Sequence, residues 1–585
     1  MSTEYVQSLE IDIDYCANTY GSSPCTAALG ASNHKCFNTF KTCQDTANFI
    51  KEVKVVTFSN NTKIPIASST INFPLLKSIT SRSTAVNITG ANERMKGLGV
   101  RASITAFLED APYNDSFFDK YNSERISGAA QTDEGPYDPF ARGTVFAKLK
   151  SRWPFYAGRP MRVVDGVIVD GVYSITSTRH YIITDFEGPD QSGKFVIKGK
   201  DILDLADDKR VVAPKFSEGV LLNDISDTDT TATLTPLGVG STYSSSGWVS
   251  IGSELIAFTR VGDVLTLVSR GSRETDPETH EALDTIQETF SVRGDRVDVV
   301  VKRLLVEEAG IDASFIPDAK WTAECDKWAS TLFLNTDIMK PTGVNSLIGE
   351  VALLGVSIWW DDKLQEVGLK VNRPPVGDAV HNINDSDNLF SFSQKDKDED
   401  RLSQVAFYHV QSNPSLSIDN PEDFKRQRRN IDVDAESANE YDDTRLRRIF
   451  SRWLNDGNDS LVSILNARLL NRFREGPAEY VLEVPRKTQI GLTDVLEVTT
   501  RAIQDDTGKP LLKKMQVFEI SEGRNIDTQL VYAQAYQFDK RYGGIAENTR
   551  GVYSVASDTE KDNGTYFSDE TTGLMGNGDK PYAFI

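Results

Sequence analysis

The chain has 585 residues, 39% hydrophobic and 25% charged, too long for one core and ordinary in balance for a folded protein of about three to five domains. Its 64 Lys and Arg are outnumbered by 85 Asp and Glu, and a net charge of −21 argues against a grip on nucleic acid, which needs a basic stripe. No apolar run approaches ~18 residues, Met1 to Glu10 lack a signal-like basic and apolar region, and five cysteines is cytosolic usage; a membrane span, a secretory signal and a disulfide scaffold are disfavoured.

Four of the five cysteines are clustered: Cys16, Cys25, Cys36 and Cys43, with gaps of eight, ten and six residues. The intervening text is rich in Gly, Ser, Asn and Thr, which predicts loops wrapped round a point. Three chemistries fit. Two disulfides would staple a loop-rich domain. A structural zinc needs four ligands, but its usual knuckle, a close Cys pair, is absent. An iron–sulfur cluster needs four thiolates round something wider than one ion, which tolerates longer gaps. The bland alternative is four small buried hydrophobes. His34 and Asp45 flank the set, and His34 reads as a loop residue rather than a ligand.

The wording Cys16…Pro24-Cys25…Lys35-Cys36-Phe37-Asn38-Thr39…Thr42-Cys43-Gln44-Asp45 resembles the start of tail-tip or baseplate hub proteins of long non-contractile-tailed bacteriophages and gene-transfer particles. The resemblance implies that Cys16, Cys25, Cys36 and Cys43 hold an iron–sulfur cluster of the 4Fe–4S type, with zinc as the alternative. Three further stretches resemble the same family: 199–210, 247–271 and 340–361.

In chain order, Val53, Val55, Val56 and Phe58 predict a strand before Asn60-Asn61, and Ile79, Val86, Ile88 and Ile104 predict more. The acids Asp110, Asp115, Asp119 and Asp138 lack calcium-loop spacing and read as a long surface loop. Thr144 to Arg159 reads as strand, turn, strand. Asp165-Gly166 and Asp170-Gly171 are hairpin turns. Phe195 to Ile197 is a strand, followed by a helix over Asp201 to Asp208. Ser217 to Phe290, rich in Ser, Thr, Gly and Asp, reads as a small antiparallel module. There Trp248 and the Arg270-Gly271 corner are candidates for touching sugar or a neighbour, with a cross-strand role for Trp248 favoured.

Val297, Val300, Val301, Leu304 and Leu305 predict a helix ended by Gly310, and Leu347, Ile348, Val351 and Leu354 a second stopped by Gly355. Val356 to Val371 predicts a hairpin whose Asp361-Asp362 face solvent, and Cys325 a buried thiol. Asn413 to Asn439 reads as a charged loop whose Lys425-Arg426-Gln427-Arg428-Arg429 is the one compact basic run, a solvated or intersubunit face rather than a nucleic-acid site. Leu461, Ile464, Leu465, Leu469 and Phe473 predict a helix over Asp459 to Glu475. Strands at 480–484, 495–500, 516–522 and 529–537 close the fold, before an extended tail.

The expected class is α+β and multidomain, mostly antiparallel β domains of hub barrel or sandwich type with a few packed helices. The expected divisions are a cysteine-rich segment 1–50, a first hub β domain 51–212, an inserted module 213–292, an α+β hub domain 293–430, a second hub β domain 431–544 and a tail 545–585. No phosphate loop, Gly-x-Ser-x-Gly or His-Glu-x-x-His is present, and His34, His180, His280, His381 and His409 fall in no triad pattern, so no enzyme is expected.

The resemblance implies a virion structural protein at the tail tip, assembled in the host cytoplasm. It implies a homotrimeric ring that joins the distal tail or tail-tube protein to tip fibres or a spike and gates ejection of tape-measure protein and DNA. An acidic channel wall would let DNA slide past without specific binding. The rivals are a carbohydrate-binding or degrading tip protein and an iron–sulfur redox protein.

Overall fold

The computed structural model describes residues 3–28, 35–60, 71–88, 98–115, 131–132, 135–136, 143–373, 375, 378–437, 444–474, 477–523 and 528–536. The expected tail at 545–585, and with it Asp119, Asp138 and His34, lies outside them. The chain divides into two units: Met1–Ser83, Arg101–Ile202 and Trp360–Gln365 form one, and Thr84–Val100, Leu203–Trp359 and Glu366–Ile585 the other. Each is mostly antiparallel β with few helices, the α+β class expected. No helix of the described residues is long and apolar enough to cross a membrane.

Unit 1 is built on an eight-stranded sheet, with the strands in the order Ile71–Phe73, Lys51–Ser59, Thr3–Cys16, Pro160–Val169, Val172–Glu187, Lys194–Lys200, Ser103–Glu109 and Leu76–Arg82. All neighbours run antiparallel except the first two. From Leu9 to Tyr15 in strand Thr3–Cys16 the side chains alternate. Leu9, Ile11, Ile13 and Tyr15 are buried, while Glu10, Asp12 and Asp14 point the other way. The acids are answered from neighbouring strands and loops: Arg162 reaches Glu10 at 2.9 Å and Asp12 at 2.6 Å, and Lys51 reaches Asp14 at 3.1 Å.

Thr144 to Arg159 departs from the reading as paired strands: Val145–Arg152 is a helix. Its buried positions, Val145, Phe146, Lys148, Leu149 and Arg152, recur with helical period, and this outweighs the β-forming Val-Phe start. Asp110 accepts from the Phe146 amide at 3.0 Å and satisfies the helix start. Phe146 stacks on Phe195 at 4.3 Å and meets Phe58 at 5.2 Å, in the middle of the core.

Unit 2 holds a six-stranded sheet in the order Val380–Asn384, Val495–Gln504, Pro510–Glu522, Thr528–Ala535, Ala478–Pro485 and Ser391–Asp396. A three-stranded sheet places Gln404–Gln411 between Phe424–Ile431 and Leu446–Ser451, and helix Asp459–Phe473 packs on it. The basic run is therefore strand, not loop: consecutive charges hid the alternation, and pairing with Gln404–Gln411 sets its conformation. The helices Val297–Arg303 and Val344–Ala352 stand where their periodicity put them, and Gly355 stops the second at φ 84°. Cys325 is fully buried, and burial pushes its thiol to about 12.

The module between Ser217 and Phe290 has its own six-stranded sheet and its own core, centred on Val249, Ile251, Ile256, Phe258 and Leu265. Its two ends are tied together. Glu288 N–H donates to Ser217 Oγ at 2.9 Å, and Gln287 Nε2 donates to the Lys215 carbonyl at 2.7 Å. Inside, Glu254 is wholly buried and receives Arg270 at 2.7 and 2.8 Å, His280 Nε2 at 2.8 Å and the Gly271 amide at 2.8 Å. Burial pushes this carboxyl up, but the bonds from His280, Arg270 and the Gly271 and Glu278 amides outweigh it and hold it at about 2.

Because that value lies below the ordinary one, the stabilisation is full above the unfolded carboxyl's titration and is lost as pH falls from ~4.5 through ~2. Melting of the module is expected to move down over that window. Glu254→Gln should flatten the dependence and cost about 3–5 kcal/mol at neutral pH, read by calorimetry.

Candidate metal centre

The first long strand ends at Cys16, on the register pair Cys16–Lys51. Beyond it the chain loops out and returns. The Cys16 amide donates to the Asn38 carbonyl at 2.8 Å and the Ala17 amide to that of Ile50 at 2.9 Å, so the loop is closed at its neck. Asn38, buried and left-handed at φ 61°, turns the chain just after Cys36. Short helical turns over Phe40–Thr42 and Thr46–Asn48 follow.

Asp45 fastens the loops to one another. Its carboxylate accepts from the Thr26 amide at 2.8 Å, the Thr26 hydroxyl at 2.9 Å and Asn48 Nδ2 at 3.1 Å. Asn18 Nδ2 then donates to the Asn48 carbonyl at 2.5 Å, and Tyr20 OH to Gln44 at 3.0 Å. Bonds from the Thr26 amide and the Asn48 side chain hold Asp45 below the usual carboxylate range. A residue that reads as a mere flank is the staple of the segment.

All four clustered cysteines are free thiols; Cys16 and Cys36 are buried, Cys25 and Cys43 half-buried. They lie near enough to act on one another. Burial pushes the Cys43 thiol up, and Cys36, Cys16 and Cys25 each push it further. Four thiolates so placed repel one another, and a cationic centre among them removes that cost. The Asp45 amide points at Cys43 Sγ at 3.4 Å, a contact that favours the thiolate. Among the described residues no group of three or more His, Cys, Asp or Glu side chains is placed to hold a metal ion.

A buried ion pair reaches the residue next to Cys36. Asp115, read in the sequence as part of a surface loop, is wholly buried and left-handed at φ 65°. It takes Arg152 through both carboxylate oxygens, at 2.8 and 3.0 Å, and Lys148 at 3.3 Å. The Arg152 guanidinium lies 3.8 Å over the ring of Phe37, next to Cys36. Phe37 N–H donates to Thr42 Oγ1 at 3.0 Å, next to Cys43. Arg152 thus packs on the neighbour of Cys36, which is in turn bonded to the neighbour of Cys43. The signal for this was the helical period of 145–152, which also sets Lys148 and Arg152 on one face.

The other candidates are placed differently. Trp248 stands cross-strand from Ala257 and is half-buried, with Arg273 and Arg293 each 5.4 Å from its ring. Arg270 is taken up by Glu254 and by the Ser226 and Glu278 carbonyls. Asp362 is half-buried rather than facing solvent; Tyr181 OH reaches it at 3.4 Å, and burial raises its carboxyl.

No protein-family model matches the chain, and no curated protein matches it. Among solved structures it is similar to a tail protein from Neisseria meningitidis MC58, at 12% identity and TM-score 0.32 over 65% of this chain and 89% of that one. A 43 kDa tail protein of prophage MuSo2 from Shewanella oneidensis matches at 10% identity and TM-score 0.32, over 78% and 97%. A prophage tail protein, gp18, from Listeria monocytogenes EGD-e matches at 11% identity and TM-score 0.29, over 64% and 84%.

Removing one partner of the buried pair leaves the other charge unanswered. Asp115→Asn and Arg152→Met are each expected to cost about 3–5 kcal/mol in urea unfolding of unit 1, and the double variant less than their sum.

Proposed function

We propose that this chain is a structural protein of a bacteriophage tail, the tail-tip hub of a long non-contractile tail. In this role it forms a homotrimeric ring that joins the distal tail or tail-tube protein to tip fibres or a spike. The ring opens for tape-measure protein and DNA, which passes an acidic wall without being held. The role needs no catalysis.

The reading is carried by one observation: four thiols, at the end of the first long strand, in a loop whose wording resembles that of tail hubs. Two large, mostly antiparallel sheets, one in each unit, support the expectation of two β domains in the ring. A turn repeated in both sheets adds to it. In Asp190-Gln191-Ser192-Gly193-Lys194 the aspartate accepts from the Ser192 and Lys194 amides at 2.8 and 2.9 Å. In Asp505-Asp506-Thr507-Gly508-Lys509 it accepts from the Thr507 and Lys509 amides at 2.9 and 2.9 Å. The glycines have φ of 81° and 82°.

Cys16, Cys25, Cys36 and Cys43 would hold a 4Fe–4S cluster as a covalent cross-link of the loop, in place of the core that so short a segment cannot build. The donors would be four soft sulfurs, two of them buried, in a loop fastened by Asp45.

Anaerobic purification with iron, sulfide and zinc assays tests the centre. Brown protein with about four irons per chain, colourless after Cys36→Ala, is the expected result. One zinc and no sulfide would replace the cluster by a single ion, and metal-free protein with four unreactive sulfurs would mean disulfides. Peptides of this chain should be found in purified tailed particles, by mass spectrometry; their absence would overturn the tail reading.

A further inference from the structure

Arg472, in the last turn of helix Asp459–Phe473 in unit 2, is only 1% exposed. Its guanidinium donates one hydrogen bond, from Nη1 to Asn372 Oδ1 at 3.3 Å, and lies 4.9 Å from the ring centre of Tyr536. Its Nε and Nη2 are buried and have no partner among the described residues. Those two atoms form one edge of the guanidinium, the fork that takes a carboxylate or another anion. Arg373 shows the same fork in use, with Nε and Nη2 on Glu324 at 2.9 and 3.0 Å.

The charge on Arg472 is not answered by its neighbours. Tyr536 donates its hydroxyl proton to the Arg373 carbonyl, and burial pushes that hydroxyl up, so it stays neutral. Glu324 and Asp378 are taken by Arg373 and Lys370. Burial pulls Arg472 down to about 10, which still leaves it charged at neutral pH. A cation held out of water with no counter-charge is costly, and a buried donor without a partner calls for a ligand.

Arg472 lines a small cavity together with Phe473, Lys397, Asp400, Glu479 and Gln534, with room for one water-sized molecule. Lys397 is already answered, by Glu479 at 3.3 Å and Glu399 at 3.7 Å. Asp400 is half-buried, burial pushes its carboxyl up, and it makes no ion pair with Arg472 among the described residues. Gln534 Oε1 is also buried without a partner, and the same amide turned end for end presents two N–H donors instead.

We propose that this cavity binds one small monovalent anion, of the size and charge of chloride, in the Nε–Nη2 fork of Arg472. Water satisfies the two donors but not the charge, and sulfate, phosphate or a carboxylate exceeds the space. The ion fastens the end of helix Asp459–Phe473 to the end of strand Thr528–Ala535, since Gln534 and Ala535 line the same cavity. The proposal stands apart from the tail reading, and its failure leaves that reading untouched.

The test compares the full chain in sodium chloride, bromide and gluconate at one ionic strength of about 0.2 M, so that general screening is constant. The parent is expected to melt higher in the halides, by about 2–4 °C for each tenfold rise above half-saturation. Arg472→Met replaces the buried charge by an apolar chain; it should lose the halide shift and melt no lower than the parent in gluconate. Asp400→Asn removes a negative charge from the cavity wall and should tighten halide binding. A bromide-soaked crystal of the parent, which depends on no variant folding, should show an anomalous peak in the Arg472 fork. Equal melts in all three salts, a halide shift retained by Arg472→Met, weaker binding in Asp400→Asn, or water in place of bromide beside Arg472 would each overturn the site.

Discussion

The carboxylate of Asp115 is out of reach of water, and that sets the terms for the first unit. A buried charge is tolerated only when it is answered, and here Arg152 answers it with two hydrogen bonds while Lys148 adds a third contact. Both cations come from one helix, so the pair fixes that helix at the core. The same guanidinium presses on Phe37, and through it the loop between Cys36 and Cys43 is held. The thiol segment has little apolar mass of its own. Its geometry is borrowed from the sheet's last residue on one side and from this ion pair on the other.

Charge has a second use in this molecule. Acids alternate with apolar residues along the first strand and are met by Arg162, Arg159 and Lys51, so an acidic face becomes part of the sheet's register. In the second unit the pattern is inverted, with a sheet bare of acids. A chain so acidic keeps its cations for places where they decide something: Arg152 against Phe37 and Asp115, and Arg270 inside the module.

Much of this was legible in the residues. The helices at 297–303, 344–352 and 459–473 announced themselves by apolar period and by Gly310, Gly355 or Gly476-Pro477 at their ends. The closing strands from Ala478 to Ala535 did so by β-branched alternation. The misreadings share a cause. Val145–Arg152 is short and opens on two β-formers, so its period shows only in which residues are buried. Phe424–Ile431 is a strand because it pairs with Gln404–Gln411, which its own charges conceal. Asp115 and Arg152 lie 37 residues apart, and nothing local marks them as partners. The clustering of four cysteines was visible; the roles of Asp45, Phe37 and Arg152 in holding them depend on contacts made only in the folded chain.

The module between Ser217 and Phe290 carries its own core, and its two ends are bonded to each other. A segment that leaves and returns at one point adds almost no closure cost, whatever its length. Its sheet can therefore be lengthened, lost or traded for another of different shape while the host strands keep their register. The outline of the molecule can change there while the frame around Asp115 stays fixed.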